Sequence, residues 1–423
     1  MNKKRIMQLL WVAFITVSCF AEGAENGIAP FDANAPIGFA SCQGSTTGSN
    51  DANPVVVTTL DELKSALYTA RKSGDPTTIY IKGSIETTGY IYLQDTKNMT
   101  IYGLPGSFLY NTNREPVKST GILLMKRCSN IILRNLTFKG AGAYDIDGND
   151  DLTLQSSDHV WIDHCDFQDG VDGNFDCNNQ VNYVSVTWCR FHYLIAPKAG
   201  GSGGSNDHRF SNLWGGSDSE ADDGYLYTTF ANCWWDEGCV ERMPRIRFGK
   251  VHLVNCLFSS SVTSYAIGIG YKAKVYVENC AFTYTQDKSH KVWKYPSDSG
   301  STDHSYVFTG NIGQADVKES LTEDYFIPSD YYQLTAYDTK YVTSFVGNPM
   351  TGAGATLVLS DPTGISHIGQ VSQGKDLGYY TTSGMKTQAP LEGITIVRKQ
   401  MIDGSIHTKK VIHRRLSARH SPL

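Results

Sequence analysis

Six stretches of this chain repeat one pattern. NIILRNLTF, HVWIDHCDF, YVSVTWCRF, YTTFANCWW, VHLVNCLF and VYVENCAF each open on a short alternating run, reach a Cys or Leu, and place an aromatic residue two positions later. Alternation with a period of two is the mark of a strand. The cysteines stand at 165, 189, 233, 256 and 280, with gaps of 24, 44, 23 and 24 residues. A period in the low twenties, with one gap nearly doubled, is the mark of a solenoid. Turns separate the strand-like units and few helical patterns interrupt them. The pattern therefore predicts an all-β chain, a right-handed single-stranded parallel β-helix whose coils stack at about 4.8 Å.

Stacking changes how the cysteines read. Ten Cys in an exported chain suggest disulfides by default. Residues at one phase of successive coils instead stack inside, so Cys165, Cys189, Cys233, Cys256 and Cys280 are expected as a buried small-residue ladder. Cys42, Cys128, Cys177 and Cys239 lie off that ladder and their state stays open. Asn98 and Asn135 sit in the sequons NMT and NLT, but both fall in strand patterns and read as ladder residues.

A solenoid needs a covered end. VVVTTLDELKSALYTARKSGD supplies an N-terminal capping helix: Thr59 with Glu62 forms a capping box, and Leu63, Ala66, Leu67 and Ala70 form an apolar stripe. The strands IYIKG and MTIYG follow. The β-helix is expected over 25–345, a linker or peripheral segment over 346–388, and a basic β-hairpin over 389–423 with its turn at Asp403-Gly404. That last segment resembles the end of the C-terminal sorting domain of the type IX secretion system.

Lys3, Lys4 and Arg5 precede an apolar run from Ile6 to Phe20 and then small residues. This predicts a secretory signal over 1–24, cut after Ala21 or Ala24, the run being too short for a span. Cys19 is an alternative lipid-attachment site, which Thr16 and Val17 fit poorly. No later segment is long and apolar enough to cross a membrane. The expected product is an exported monomer, secreted or held at the surface or in the periplasm. A net charge of -5 over 423 residues argues against general nucleic-acid binding, which needs a broad basic face.

Against that charge, RMPRIRFGKVHLVNC is unusual. Arg242, Arg245, Arg247, Lys250 and His252 fall within eleven positions of a stretch that ends apolar. Such a segment calls for an anion. Asp151 lies 14 residues before Cys165, Asp176 lies 13 before Cys189, and Arg242 lies 14 before Cys256. Equal phase on stacked coils means one face, where carboxylates and guanidiniums from different coils converge, with Asn149 and Asp172 a few places earlier. Three Asp together repel one another unless a cation joins them. Hard oxygen ligands so grouped suit Ca²⁺, and Asp172 and Asp176 in DGNFD can reach one ion across a turn. The bland readings are an Asp-Gly turn for DGNFD and an ion-pair network of the arginines with Asp236, Glu237 and Glu241. A cation beside an arginine cluster describes a receptor for a polycarboxylate.

VWIDHCDF, DGNFD and RMPRIRFGKVHLVNC resemble the pectate lyase family of polysaccharide lyases over roughly residues 35–290, and GFAS, the capping helix and VYVENCAF fit as well. The resemblance implies a parallel β-helix that cleaves α-1,4-linked polygalacturonate, a pectic polysaccharide, by β-elimination. It implies Ca²⁺ held by Asp151, Asp172 and Asp176, with Asn149 where another acidic ligand often stands. It implies Arg242 as catalytic base and Arg247 as a substrate-binding residue, Arg245 being grouped with it. Arg209, in NDHRFSNLWGGSDS, stands where the family often has a uronate-binding Lys. Asp163 and His164 of WIDH are a marker whose expected role is packing. An insertion over roughly 194–206 accounts for the long gap. Two further readings stay open: a pectin lyase acting on methyl-esterified chains without metal, and a non-catalytic pectin-binding β-helix. A β-helix hydrolase would leave the RxPxxR stretch unexplained.

Overall fold

The computed structural model describes residues 35–49, 54–115, 119–296, 300–301, 303–313 and 320–358, and the backbone of four later strands. The expected signal segment, with Cys19, lies outside the described residues. The chain divides into two compact units at residue 360.

The first unit is the predicted parallel β-helix. Each coil contributes one strand to each of three sheets. A long sheet runs Val55–Val57, Thr77–Ile81, Lys97–Gly103, Ser129–Arg134, Asp158–Asp163, Asn182–Thr187, Thr228–Ala231, Lys250–Val254, Lys274–Glu278 and Ser305–Thr309, closed by the antiparallel Ser320–Leu321. A second, here called the site sheet, runs Ile91–Gln94, Leu123–Lys126, Leu152–Gln155, Phe175–Asn178, Leu213–Trp214, Arg245–Ile246, Tyr265–Ile269 and Lys291–Lys294. The third runs from Ser84–Glu86 through Asp166–Gln168, Arg190–His192 and Trp234–Trp235 to Ala281–Phe282. Neighbouring strands pair in parallel, for example Val160 with Val184 and Phe167 with Phe191.

The repeated Cys-x-aromatic signal becomes two inner columns. All five ladder cysteines are fully buried and unpaired, and Cys42, Cys128, Cys177 and Cys239 are unpaired too. Two places on, Phe138, Phe167, Phe191, Trp235, Phe258 and Phe282 stack, with successive ring centroids 4.9, 5.2, 5.4, 4.7 and 4.5 Å apart. The corner before each cysteine is left-handed: Asn135, His164, Trp188, Asn232, Asn255 and Asn279 all have φ between 47 and 56°. Asn tolerates that conformation and spends its side-chain amide on neighbouring coils, which is why it recurs there. Asn255 Nδ2 donates to Asn279 O and Asn135 Nδ2 to Gly103 O, while Asn130 Nδ2 donates to Asn98 Oδ1. Both sequon asparagines are thus ladder residues.

The cap forms as expected. Helix α1, Leu60–Ser73, starts on the Thr59–Glu62 capping box and stops at left-handed Gly74 (φ 73°), and it buries Leu63, Leu67 and Ala70 over the first coils. GFAS docks outside the long sheet. Phe39 N–H donates to Thr229 Oγ1 at 3.1 Å, and at Gly38 (φ 75°) a Cβ would stand 2.4 Å from the Thr229 side chain, so only glycine fits.

The expected boundary at 345 falls short. Val342, Val346 and Ala353 pack against Trp188, Leu257 and Ala281, and Leu357 exchanges two hydrogen bonds with Asn135. Residues 346–358 lie in the same compact unit as the coils and pack against their outside. In the second unit Gly393–Gln400 and Ile406–His413 pair antiparallel, as a hairpin requires, and Lys375–Tyr380 and Lys386–Thr387 extend it to four strands. The turn at Asp403-Gly404 lies outside the described residues.

Candidate active site

The turns entering the site sheet gather the chemistry. Asp151 N–H donates to Gly173 O, Asn174 N–H to Ser211 O, and Asn212 N–H to Arg242 O. This row of backbone bonds aligns residues far apart in the chain. Within it Asp150 is 7% exposed, and its Oδ2 accepts from Thr153 Oγ1 at 2.7 Å. Asp176 Oδ1 accepts from Leu213 N–H at 2.8 Å. Between the two carboxylates lies bare backbone: a Cβ on Gly173 would stand 3.0 Å from Asp150 Oδ1 and 3.3 Å from Asp176 Oδ1.

These groups act on one another's charge. Burial pushes Asp150 up to about 7, Asp172 adds repulsion, and Thr153 and Arg242 pull back. Burial also pushes Asp176 well above the usual carboxylate range, with Asp150 and Asp172 adding to it and Arg242 and the Leu213 amide opposing it. Arg242 is itself left-handed, with φ 60°, a conformation costly for a residue with a long side chain. Its guanidinium lies 4.7 Å over the Phe210 ring. Asp150 and Asp176 thus flank a Cβ-sized gap, with Asp172 and Arg242 near enough to act on the charge of both.

Next to them stands a histidine that sequence reading passed over. His208 places Nε2 3.2 Å from Asp172 Oδ1 and Nδ1 3.3 Å from Asp145 Oδ1. Its ring packs on Phe210, 4.3 Å between centroids.

The predicted residues divide. Asp172 and Arg242 lie near enough to Asp176 to act on its charge. Asp151 does not join them: it is 1% exposed, its Oδ1 lies by Gly140 and Asp169, and its carboxylate is pushed up by burial, then by Asp169, and further by Asp150 and Asp166. The counting fails because corners differ in length. Two residues, 156–157, separate the site and long strands of one coil and three, 179–181, those of the next. The strand register accordingly pairs Asp176 with Thr153. Asp150 takes the place assigned to Asp151. The signal that could have found it was the adjacent pair Asp150-Asp151, of which only one member can face the site. Asn149 Oδ1 accepts from Ser119 N–H at 3.2 Å.

The basic stretch 242–252 is spread over the molecule. Arg245 faces outward on the site sheet, in register with Leu213 and Gly268. Arg247, expected to bind substrate, is 2% exposed and donates to Asp218 Oδ1 at 2.8 Å and Gly215 O at 2.9 Å. So buried, it braces the 215–218 loop instead. Arg209 is likewise committed, forking onto Asp207 at 2.8 and 2.6 Å. Lys250 donates to Tyr227 Oη, and His252 bridges Tyr332 and Glu278, both on the long sheet. Asp163 holds Arg134 at 2.6 Å and His164 at 2.8 Å, with Thr187 on its other oxygen. This is the packed role expected of WIDH. Asp236 receives Arg190, and Glu237 receives Ser261.

One column of outward positions runs beside the acids across the site sheet: Tyr92, Leu124, Thr153, Asp176, Leu213, Arg245, Gly268 and Lys294. It passes from acidic to basic as it leaves the carboxylate cluster.

Known proteins agree with this architecture. The family described as Pectate lyase matches residues 27–366. A pectate lyase of Emericella nidulans is 29% identical over 323 residues, covering 74% of this chain and 86% of the relative. A probable pectate lyase B of Aspergillus terreus is 30% identical, covering 70% and 81%. An arginine-to-lysine mutant of the Bacillus subtilis pectate lyase superposes with a TM-score of 0.60 at 21% identity, covering 77% of this chain and 97% of that one. A pectate lyase bound to hexasaccharide superposes with a TM-score of 0.58 at 22% identity, covering 79% and 99%. With a parallel β-helix of this topology and a family match over most of its length, the chain belongs to the pectate lyase family of polysaccharide lyases.

Proposed function

We propose that this protein is an exported, monomeric, calcium-dependent pectate lyase that cleaves α-1,4-linked polygalacturonate to 4,5-unsaturated oligogalacturonates. What supports this reading is that Asp150, Asp172 and Arg242 all act on the charge of Asp176, which stands on an outward column of strand positions. The basic, apolar and then small residues of 1–24 support export.

Asp150, Asp172 and Asp176 would hold Ca²⁺; the gap at Gly173 and the raised proton affinities of Asp150 and Asp176 fit an ion there. Bound, Ca²⁺ would offset their charge and grip a uronate carboxylate, stabilising the negative charge that develops in an enediolate-like transition state. Arg242 stands over Phe210, oriented for the sugar ring. As base it takes the proton from carbon 5. The C5–H electron pair becomes the C4–C5 double bond, the C4–O bond breaks, and the leaving oxygen ends protonated. Arg245, with Lys294 an outward cation of the column, takes a neighbouring carboxylate, the role expected of Arg245, Arg247 and Arg209 together. An arginine base needs its neutral form, which predicts a rate that climbs into alkaline pH.

The test is incubation with polygalacturonate, with Ca²⁺ or EDTA, followed by near-ultraviolet absorbance of the unsaturated product. Absorbance should require Ca²⁺. Arg242→Lys should lose about 10²–10⁴-fold in turnover while still binding polygalacturonate. Product formed equally well in EDTA would favour the metal-free pectin lyase reading. Binding with no product at all would favour the non-catalytic one.

A further inference from the structure

We propose a second metal site beside the calcium set, formed by Asp145, His208 and Asp172, that takes a transition-metal dication such as Zn²⁺. One ligand atom from each residue lies within 4.8 Å of the other two. The set is not merely acidic. His208 has only 7% of its side chain exposed, and neither ring nitrogen makes a hydrogen bond, although carboxylate oxygens stand 3.2 and 3.3 Å away. An imidazolium clamped between two carboxylates would donate to both in good geometry. The two ring nitrogens of His208 face different carboxylates, so one of them can hold an ion while the other stays turned to the second acid.

The donor chemistry selects the ion. Imidazole nitrogen suits Zn²⁺, Co²⁺ or Ni²⁺ and is a poor ligand for Ca²⁺, which prefers an all-oxygen shell. One nitrogen and two carboxylates leave a fourth tetrahedral position for water.

The surroundings are built to hold Asp145. Its Oδ2 accepts from Ser205 N–H at 2.7 Å and its carbonyl from Gly203 N–H at 2.9 Å, so the inserted loop fixes one face of the carboxylate and leaves Oδ1 toward His208. The same loop is tied back by Lys198 N–H on Ala143 O and by Arg114 on Ala143 O and Ala196 O. An ion here would pin the insertion to the turn carrying Asp172. The inference rests on the calcium reading only in that Asp172 is shared by both sites.

The experiment uses the full chain stripped of metal and titrated with Co²⁺, read by visible d–d absorption, and separately with Ca²⁺, read by calorimetry. The wild type should take up one more equivalent of Co²⁺ than His208→Gln, with the absorption bands missing in the variant. Asp145→Asn, which keeps the shape, should bind that equivalent at least about tenfold more weakly. Far-ultraviolet circular dichroism checks that both variants are folded. Ca²⁺ binding by His208→Gln should persist. Co²⁺ uptake and spectra identical in wild type and His208→Gln, or no Co²⁺ uptake by the wild type, would overturn the proposal. Co²⁺ uptake lost in His208→Gln, with no Ca²⁺ binding by the wild type, would uphold this site and remove the calcium reading instead.

Discussion

Gly173 does by absence what its neighbours do by charge. Its missing Cβ leaves room between Asp150 and Asp176, 3.0 and 3.3 Å from where that atom would stand. Gly173→Ala should keep the fold but weaken Ca²⁺ binding, by about tenfold or more in a calorimetric titration; unchanged affinity would mean no ion sits there. Asp163 is the structural counterpart. Burial pushes its carboxyl up, but His164, Arg134 and Thr187 outweigh that and hold it below the usual range. Asp163→Asn removes the charge paired with buried Arg134 and should cost about 3–5 kcal/mol in denaturant unfolding, with the metal ligands untouched. At this scale the sequence was legible where the role is packing, as with Asp163 and His164. It misled where a corner gained a residue, as between Asp150 and Asp151. It misled again where a cation found an acid in a neighbouring turn, as Arg247 found Asp218.

At the scale of elements, the coil is held by what stacks inside it. Phe191, fully buried, lies between Phe167 and Trp235 at 5.2 and 5.4 Å. Phe191→Ala opens a cavity in a continuous column and should cost about 3–5 kcal/mol by denaturant titration. A much smaller loss would mean that the column relaxes into the gap. Thr59→Ala, by contrast, removes one cap from a helix that tertiary contacts already hold, so about 1 kcal/mol is expected. This level was the most legible of all. A stacked coil repeats its interior at every turn, and Cys-x-aromatic repeats with it along the chain. The segment after 345 was not legible, because Val342, Val346 and Ala353 pack one-off against the outside of the coils and no period announces them.

At the scale of the whole molecule, the acidic cluster makes stability depend on pH and metal together. Asp150 rises from an ordinary 3.8 to about 7 through burial and Asp172, and Asp176 rises as well. A carboxyl with a raised folded-state pKa favours the fold while protonated. Its contribution is full below about pH 4 and drains away as pH climbs through 7. For this cluster the metal-free protein should therefore lose several degrees of melting temperature between pH 5 and pH 8, on the order of the shift a few kcal/mol produces. A cation that binds only the folded, deprotonated cluster reverses the slope by mass action. Saturating Ca²⁺ should raise the melting temperature more at pH 8 than at pH 5, and each ion bound near pH 6 should displace protons into the buffer. Calorimetry in buffers of different ionisation heat measures that release. Asp150→Asn and Asp176→Asn should flatten the metal-free slope and abolish the calcium gain together. If they flattened the slope and left the calcium gain intact, the ion would sit elsewhere, and the acids at Gly173 would be a charged wall for the substrate groove instead of its metal seat.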